Sequence, residues 1–201
     1  KLLKVASALS DDPIPESAFI LATSGRYEFR NKGLDLFINA LDDLRKEKLT
    51  RPLIAFLFTP SNHYGPRKDL QQALENEEVK HEGSKLITHY LHDPEIDPIL
   101  GRLNELGFAN SKEDKIKIIY VPSYLNGLDG IFNLAYYDIL AGCDQTIFAS
   151  YYEPWGYAPH HYGSWAYSSF GWVWAPGYTY SCANVVWVRA GGYVGWYARP
   201  P

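Results

Sequence analysis

Apolar and polar positions alternate in two registers along the first 150 residues. Ala18–Thr23 and Leu53–Phe58 are short continuous apolar runs, the second ended by Thr59-Pro60, as expected of strands buried on both faces. Between them Leu34, Phe37, Ile38, Leu41 and Leu44 recur at helical spacing, with Asp42, Asp43 and Arg45 on the other side. A polar stretch at 69–78 predicts a solvated helix. Residues 98–106 predict another, with Gly107 as its stop. Ile116, Ile118, Ile119 and Val121 predict a strand closed by Pro122; 134–140 predicts a helix and 146–149 a last strand. Strands alternating with helices imply a parallel sheet covered on both faces. Ligands of such sheets sit beyond the carboxyl ends of the strands.

After Tyr151 the pattern changes. The stretch from Tyr151 to Pro201 holds all six Trp and nine Tyr, no Leu, Ile, Lys or Asp, and only Glu153, Arg189 and Arg199 as charges. Gly and Pro interrupt it too often for a helix. Aromatics alternate with small or polar residues around Trp165–Tyr167, Trp172–Trp174, Val186–Val188 and Tyr193–Trp196, which is strand periodicity. Turns are expected at Ser168-Ser169, Pro176-Gly177 and Gly191-Gly192. Two domains follow: an α/β domain with a parallel sheet over 1–152, and an aromatic-rich β tail over 153–201.

Charge narrows the partners. A net charge of −4 provides no basic footprint for nucleic acid. No run is long and apolar enough for a membrane helix. Cys143 and Cys182 are too few and too scattered for a disulfide framework or a zinc site, and read as inert thiols of a reducing compartment. His160 and His161 are adjacent, so a strand would point them to opposite faces, and no metal is expected. The chain has no Met, which points to a piece of a longer protein.

Two segments at predicted strand ends carry candidate chemistry. Gly25–Gly33 (GRYEFRNKG) follows one strand and precedes a helix. Arg26 and Lys32 there suit a diphosphate, helped by N–H groups at the helix start. A polar loop with solvated charges fits the same residues, and the two readings stay open on pattern alone. Ser150–Pro159 places Glu153 among aromatics, where a carboxylate can bond sugar hydroxyls and Tyr157 can stack on a ring; a Pro/Gly turn with a solvated Glu is the bland alternative.

Taken in order and spacing, GRYEFRNKG, Ile119–Asn126 and YYEPWGYAP resemble the donor-binding domain of glycogen synthases of the animal and fungal branch, with Leu86–Pro94 and Gly127–Asp138 also similar. The resemblance covers residues 1–159. It implies a two-Rossmann-domain, retaining, cytoplasmic glycosyltransferase that moves glucose from UDP-glucose or ADP-glucose to an α-1,4-glucan end. Arg26 and Lys32 would then neutralise the departing diphosphate without a metal or cofactor. Glu153 matches the first carboxylate of the family's Glu-x7-Glu motif, near the transferred glucose. Tyr157 matches the residue against the base, and Gly156 belongs to the same donor-binding turn.

Departures from the family pattern accompany the match. His161 stands where the second motif Glu is expected, and the aromatic tail replaces the last strand–helix unit of the sheet. The glucan-binding amino-terminal domain is missing from this sequence, so the isolated chain is expected to be inactive. Residues 154–201 (GSWAY, GWVWAPGY, GGYVGWYARPP) resemble Trp/Tyr repeats of exported bacterial proteins of unknown function. That resemblance implies as alternatives a glycan- or cell-wall-binding module, or a nonfunctional chimera.

Overall fold

The computed structural model describes residues 1–76, 83–148, 162–169, 171–180, 185–190 and 193–198. The chain divides into two compact units, Lys1–Ser150 and Tyr151–Pro201.

The first unit is built on a parallel sheet of β1 (Phe19–Ser24), β2 (Leu53–Phe58), β5 (Ile116–Val121) and β6 (Gln145–Ile147), in the order β5-β2-β1-β6. Its register aligns Leu21 with Ala55 and Ala55 with Ile118. Because side chains alternate across a strand, these runs supply two cores. Leu21, Leu57, Ile118 and Tyr120 pack with α2 (Leu34–Leu44) and α4 (Pro98–Glu105). Ala22, Phe56, Phe58 and Ile119 pack with α1 (Leu2–Ala8), α3 (Lys68–Glu75) and α5 (Tyr136–Ala141). On that second face Phe56 and Phe58 stack at 5.5 Å, and Phe132 meets each edge-on at 6.2 Å. The fold is therefore α/β and Rossmann-like. The chain steps from β1 out to β2 and β5, then returns to the other side of β1 as β6. This reversal puts the switch point of the sheet between β1 and β6.

Local chemistry fixes the helix ends. Asp97 caps α4, accepting the Leu100 N–H at 2.8 Å, and Pro98 takes the first turn, where no N–H is needed. Gly107 ends it at φ 72°. Three elements were not expected from the sequence. α1 buries Leu2, Val5 and Ala6, a helical spacing present at the chain start. β3 (His63–Pro66) and β4 (His89–Leu91) form an antiparallel pair from short segments on either side of α3. Arg67 holds this pair: its buried guanidinium donates to the Ile87 carbonyl at 2.9 Å and to that of Ser84, and it pairs with Asp69. The helix expected at 134–140 begins later, at Tyr136. Asn126 bridges Ala135, which stays extended, and just before it the Asp129 carboxylate accepts the N–H groups of Ile131, Phe132 and Asn133 and holds them in a loop.

Among its described residues the second unit contains two antiparallel pairs, β7 (Tyr162–Ser168) with β8 (Gly171–Tyr180) and β9 (Val185–Ala190) with β10 (Tyr193–Ala198). Ser168 pairs with Gly171, closing the first at the expected Ser168-Ser169 turn. Pro176-Gly177 does not reverse the chain. β8 runs through it with a register shift opposite Gly163, so the two residues are absorbed as an irregularity in one strand.

Candidate functional site

A hollow of about 450 Å³ opens at the carboxyl ends of the central strands. Ser24, Gly25 and Arg26 line it from the end of β1, Phe58 and Pro60 from β2, Ser123–Asn126 from the segment after β5, and Tyr136 from the start of α5. The strand ends are tied together: the Gly25 N–H donates to the Phe58 carbonyl at 3.3 Å, and the Thr59 N–H to that of Val121 at 3.2 Å. Three loops thus share one rigid rim.

The loop 25–33 folds back on itself, the Lys32 N–H donating to the Glu28 carbonyl at 2.8 Å and Gly33 to Arg30 at 2.9 Å. Gly33 takes the left-handed conformation at φ 60° as α2 begins, which a side chain would resist. Tyr27 pins the loop to the core. Its hydroxyl donates to Asp97 Oδ2 at 2.5 Å, and Tyr120 reaches the same oxygen at 3.5 Å. Burial, reinforced by Asp97, pushes both phenols well above their ordinary pKa, so they stay protonated donors.

Arg26 and Lys32 behave differently. Arg26 lines the hollow with its side chain 72% exposed and meets Glu28 at 3.3 Å. A surface pair of that kind is weak, so the guanidinium can turn to a stronger anion. Lys32 is buried, its stem packed beside Gly25 at the rim but outside the hollow's lining. One loop therefore presents a swinging cation and a braced one.

The opposite wall is held from behind. His89 is fully buried and donates through Nε2 to the Asp129 carbonyl at 2.9 Å, while Nδ1 meets Thr88 Oγ1 at 2.8 Å. The carbonyl can only accept, which assigns the proton to Nε2. Gln71 Nε2 donates to the Gly130 carbonyl at 2.9 Å, adding a tether from α3. Asn126 and Ala135 bridge the base of this loop.

Of the residues singled out from sequence, Arg26 and Lys32 share the first loop, whereas Glu153, Gly156, Tyr157 and His161 lie outside the described residues. The chain leaves β6 at Ile147, which pairs with Thr23, two residues before Gly25. Pattern reading missed Tyr136 and the apolar faces of Tyr124 and Leu125 as lining groups, although Tyr-Leu-Asn after a strand end is the signal that marks them. Cys143 is half-buried and free, its thiol pushed up to about 11 by burial with Asp144 nearby, so it is a poor nucleophile. Among the described residues no group of three His, Cys, Asp or Glu is placed to hold a metal ion, and no helix is long and apolar enough to cross a membrane.

Comparison with known proteins points one way. Residues 72–165 match the family model for glycogen synthase. The chain is 26% identical to the liver glycogen [starch] synthase of Rattus norvegicus and 26% identical to the glycogen [starch] synthase of Neurospora crassa, each alignment covering 72% of this chain and 28% of the relative. Isoform 1 of Saccharomyces cerevisiae is 27% identical over 68% of this chain and 28% of its own length. The chain therefore spans about 28% of the length of these curated relatives.

Proposed function

Proceeding from this chain's kinship with the glycogen synthases, we propose that its α/β unit holds the nucleotide-sugar donor of a retaining glucosyl transfer to an α-1,4-glucan end. The observation that carries the reading is the hollow at the carboxyl ends of β1, β2 and β5, with Arg26 on its rim and Lys32 braced beside Gly25. Tyr136, Tyr124 and Leu125 offer flat apolar faces suited to a nucleobase, and Ser123 and Asn126 offer polar groups for its edges or the ribose.

In this proposal the diphosphate lies over the 25–33 loop, where Arg26 turns from Glu28 to the phosphate oxygens. Lys32 adds a fixed positive field beneath them. As the bond from glucose to the diphosphate lengthens, negative charge grows on the leaving oxygen, and cations already in place stabilise that charge more than the ground state. Cationic side chains take this part without a metal. Glu153 is assigned to the glucose hydroxyls, and Tyr157 and Gly156 to binding of the donor; the glucan acceptor and a cytoplasmic setting belong to the same proposal. Both UDP-glucose and ADP-glucose remain within it.

Calorimetric titration of UDP and of ADP into the chain tests the reading. Saturable binding of one of them is expected, weakened about tenfold in Arg26→Ala through loss of a charge-assisted hydrogen bond. Absence of binding by either nucleotide at millimolar concentration would overturn it.

A further inference from the structure

At the opposite pole of the sheet, below the amino ends of β2 and β5, lies a second hollow of about 440 Å³. Its walls carry Lys48, Arg51, Lys112, Lys115 and Lys117 together with Asp12 and Asp114. Both acids are already engaged. Asp12 Oδ1 lies 3.3 Å from the Lys117 Nζ, and Asp114 Oδ2 accepts from the Ser111 N–H at 2.8 Å and its hydroxyl at 3.1 Å. Lys117 is buried and also donates to the Ser111 carbonyl, so it is a fixed charge in the floor.

Ion pairing is shared unevenly among the unit's cations. Arg45, Lys46, Lys85 and Arg102 each hold a carboxylate. Lys48, Arg51, Lys112 and Lys115 hold none among the described residues, and neither do Arg30 and Lys68, although the chain carries a net charge of −4. Arg51 instead lies over the Phe19 ring, 4.6 Å from its centre, which keeps its guanidinium at the wall. Like charges gathered round a concavity raise one another's energy and focus a positive potential into it. A compact multivalent anion relieves that repulsion.

We propose that this second hollow is a binding site for a small phosphate-type oxyanion, distinct from the donor hollow at the other end of the same strands. Lys117 supplies the fixed charge, Arg51 a flat two-pronged donor, and Lys112 and Lys115 mobile clamps. The group recognised is a dianionic phosphate, reached either as the inorganic ion or as a monoester of a small alcohol.

Amide-resolved NMR of the whole chain, titrated separately with inorganic phosphate and with glycerol phosphate, tests this. Saturable shifts are expected at residues 48–52 and 111–117, and whichever probe saturates at the lower concentration identifies the source. Lys112→Gln combined with Lys115→Gln is expected to weaken that binding about tenfold, since each exposed pair contributes modestly. Both lysines are exposed, so the melting curve of the double variant is expected to match that of the parent. Shifts that never saturate (an adventitious ion only), shifts confined to residues 24–33, or an affinity unchanged in the double variant would each overturn the proposal.

Discussion

Asn110, fully buried and left-handed at φ 53°, donates through Nδ2 to the Lys85 and Ile118 carbonyls and accepts the Ile118 N–H, each at 2.8 Å. One side chain thus serves the outer edge of β5, where another strand would otherwise pair. Asn110→Ala leaves buried backbone groups without partners, and a loss of about 3 kcal/mol is expected in urea unfolding. A change within experimental error would show that the edge is satisfied in another way. This role was not legible in the sequence, because an Asn after Phe108-Ala reads as an ordinary loop residue. Arg26 and Lys32 were legible as a pair of cations at a strand end, but their different burial was not. That difference comes from the way the loop folds, which lays the Lys32 stem beside Gly25 and leaves Arg26 at the surface. Arg26→Ala, at an exposed position, is expected to leave the thermal midpoint unchanged while weakening nucleotide binding.

The β3–β4 pair and the loop it supports are where stability and site meet. His63 and His89 lie 4.8 Å apart between ring centres, and burial holds both below the ordinary imidazole pKa, with His92 adding to the effect on His63. An unfolded chain titrates these groups near 6.5. Above that value neither state takes up protons at these sites, and their contribution to stability is intact. As pH falls below it, the unfolded chain gains protons that the folded one resists, so stability declines toward the folded-state values. Urea midpoints are therefore expected to drop between about pH 7.5 and 5.5, and the slope to shrink in His89→Gln, with ordinary carboxylates still ionised across that window. A slope unaltered by the substitution would place the proton uptake elsewhere. Gly130 belongs to the same loop: at φ 81°, a side chain there would come within 2.6 Å of Pro66. Gly130→Ala is expected to cost about 2 kcal/mol through strain and the clash, measurable by thermal unfolding. The alternation of apolar runs revealed every strand of the parallel sheet. It could not reveal β3 and β4, whose pairing rests on Arg67 and on contacts between distant segments.

At the scale of the molecule, a four-stranded parallel sheet turns an apolar pattern into a place for a ligand at the carboxyl ends of β1, β2 and β5. The crevice was legible from the strand–helix alternation alone, because topology dictates which end of a parallel sheet is open. Its contents were only partly legible. Tyr136 lines the hollow from the start of α5, directly after the bridge between Asn126 and Ala135, a contact that no local periodicity carries. Beyond the switch point, Ile147 and Phe148 are exposed on the last strand and the residue after it, and an apolar edge of this kind is an association hazard. Phe148→Lys is accordingly expected to raise the concentration at which the chain stays monomeric in analytical ultracentrifugation. Where a nucleotide sits decides the role of the hollow. Amide hydrogen exchange with and without saturating UDP or ADP measures that directly. Slowed exchange at Ser24–Tyr27 and Tyr124–Asn126, near the start of α5, is the predicted outcome. Protection confined to the β7–β10 strands, or no protection in the α/β unit at saturation, would contradict it.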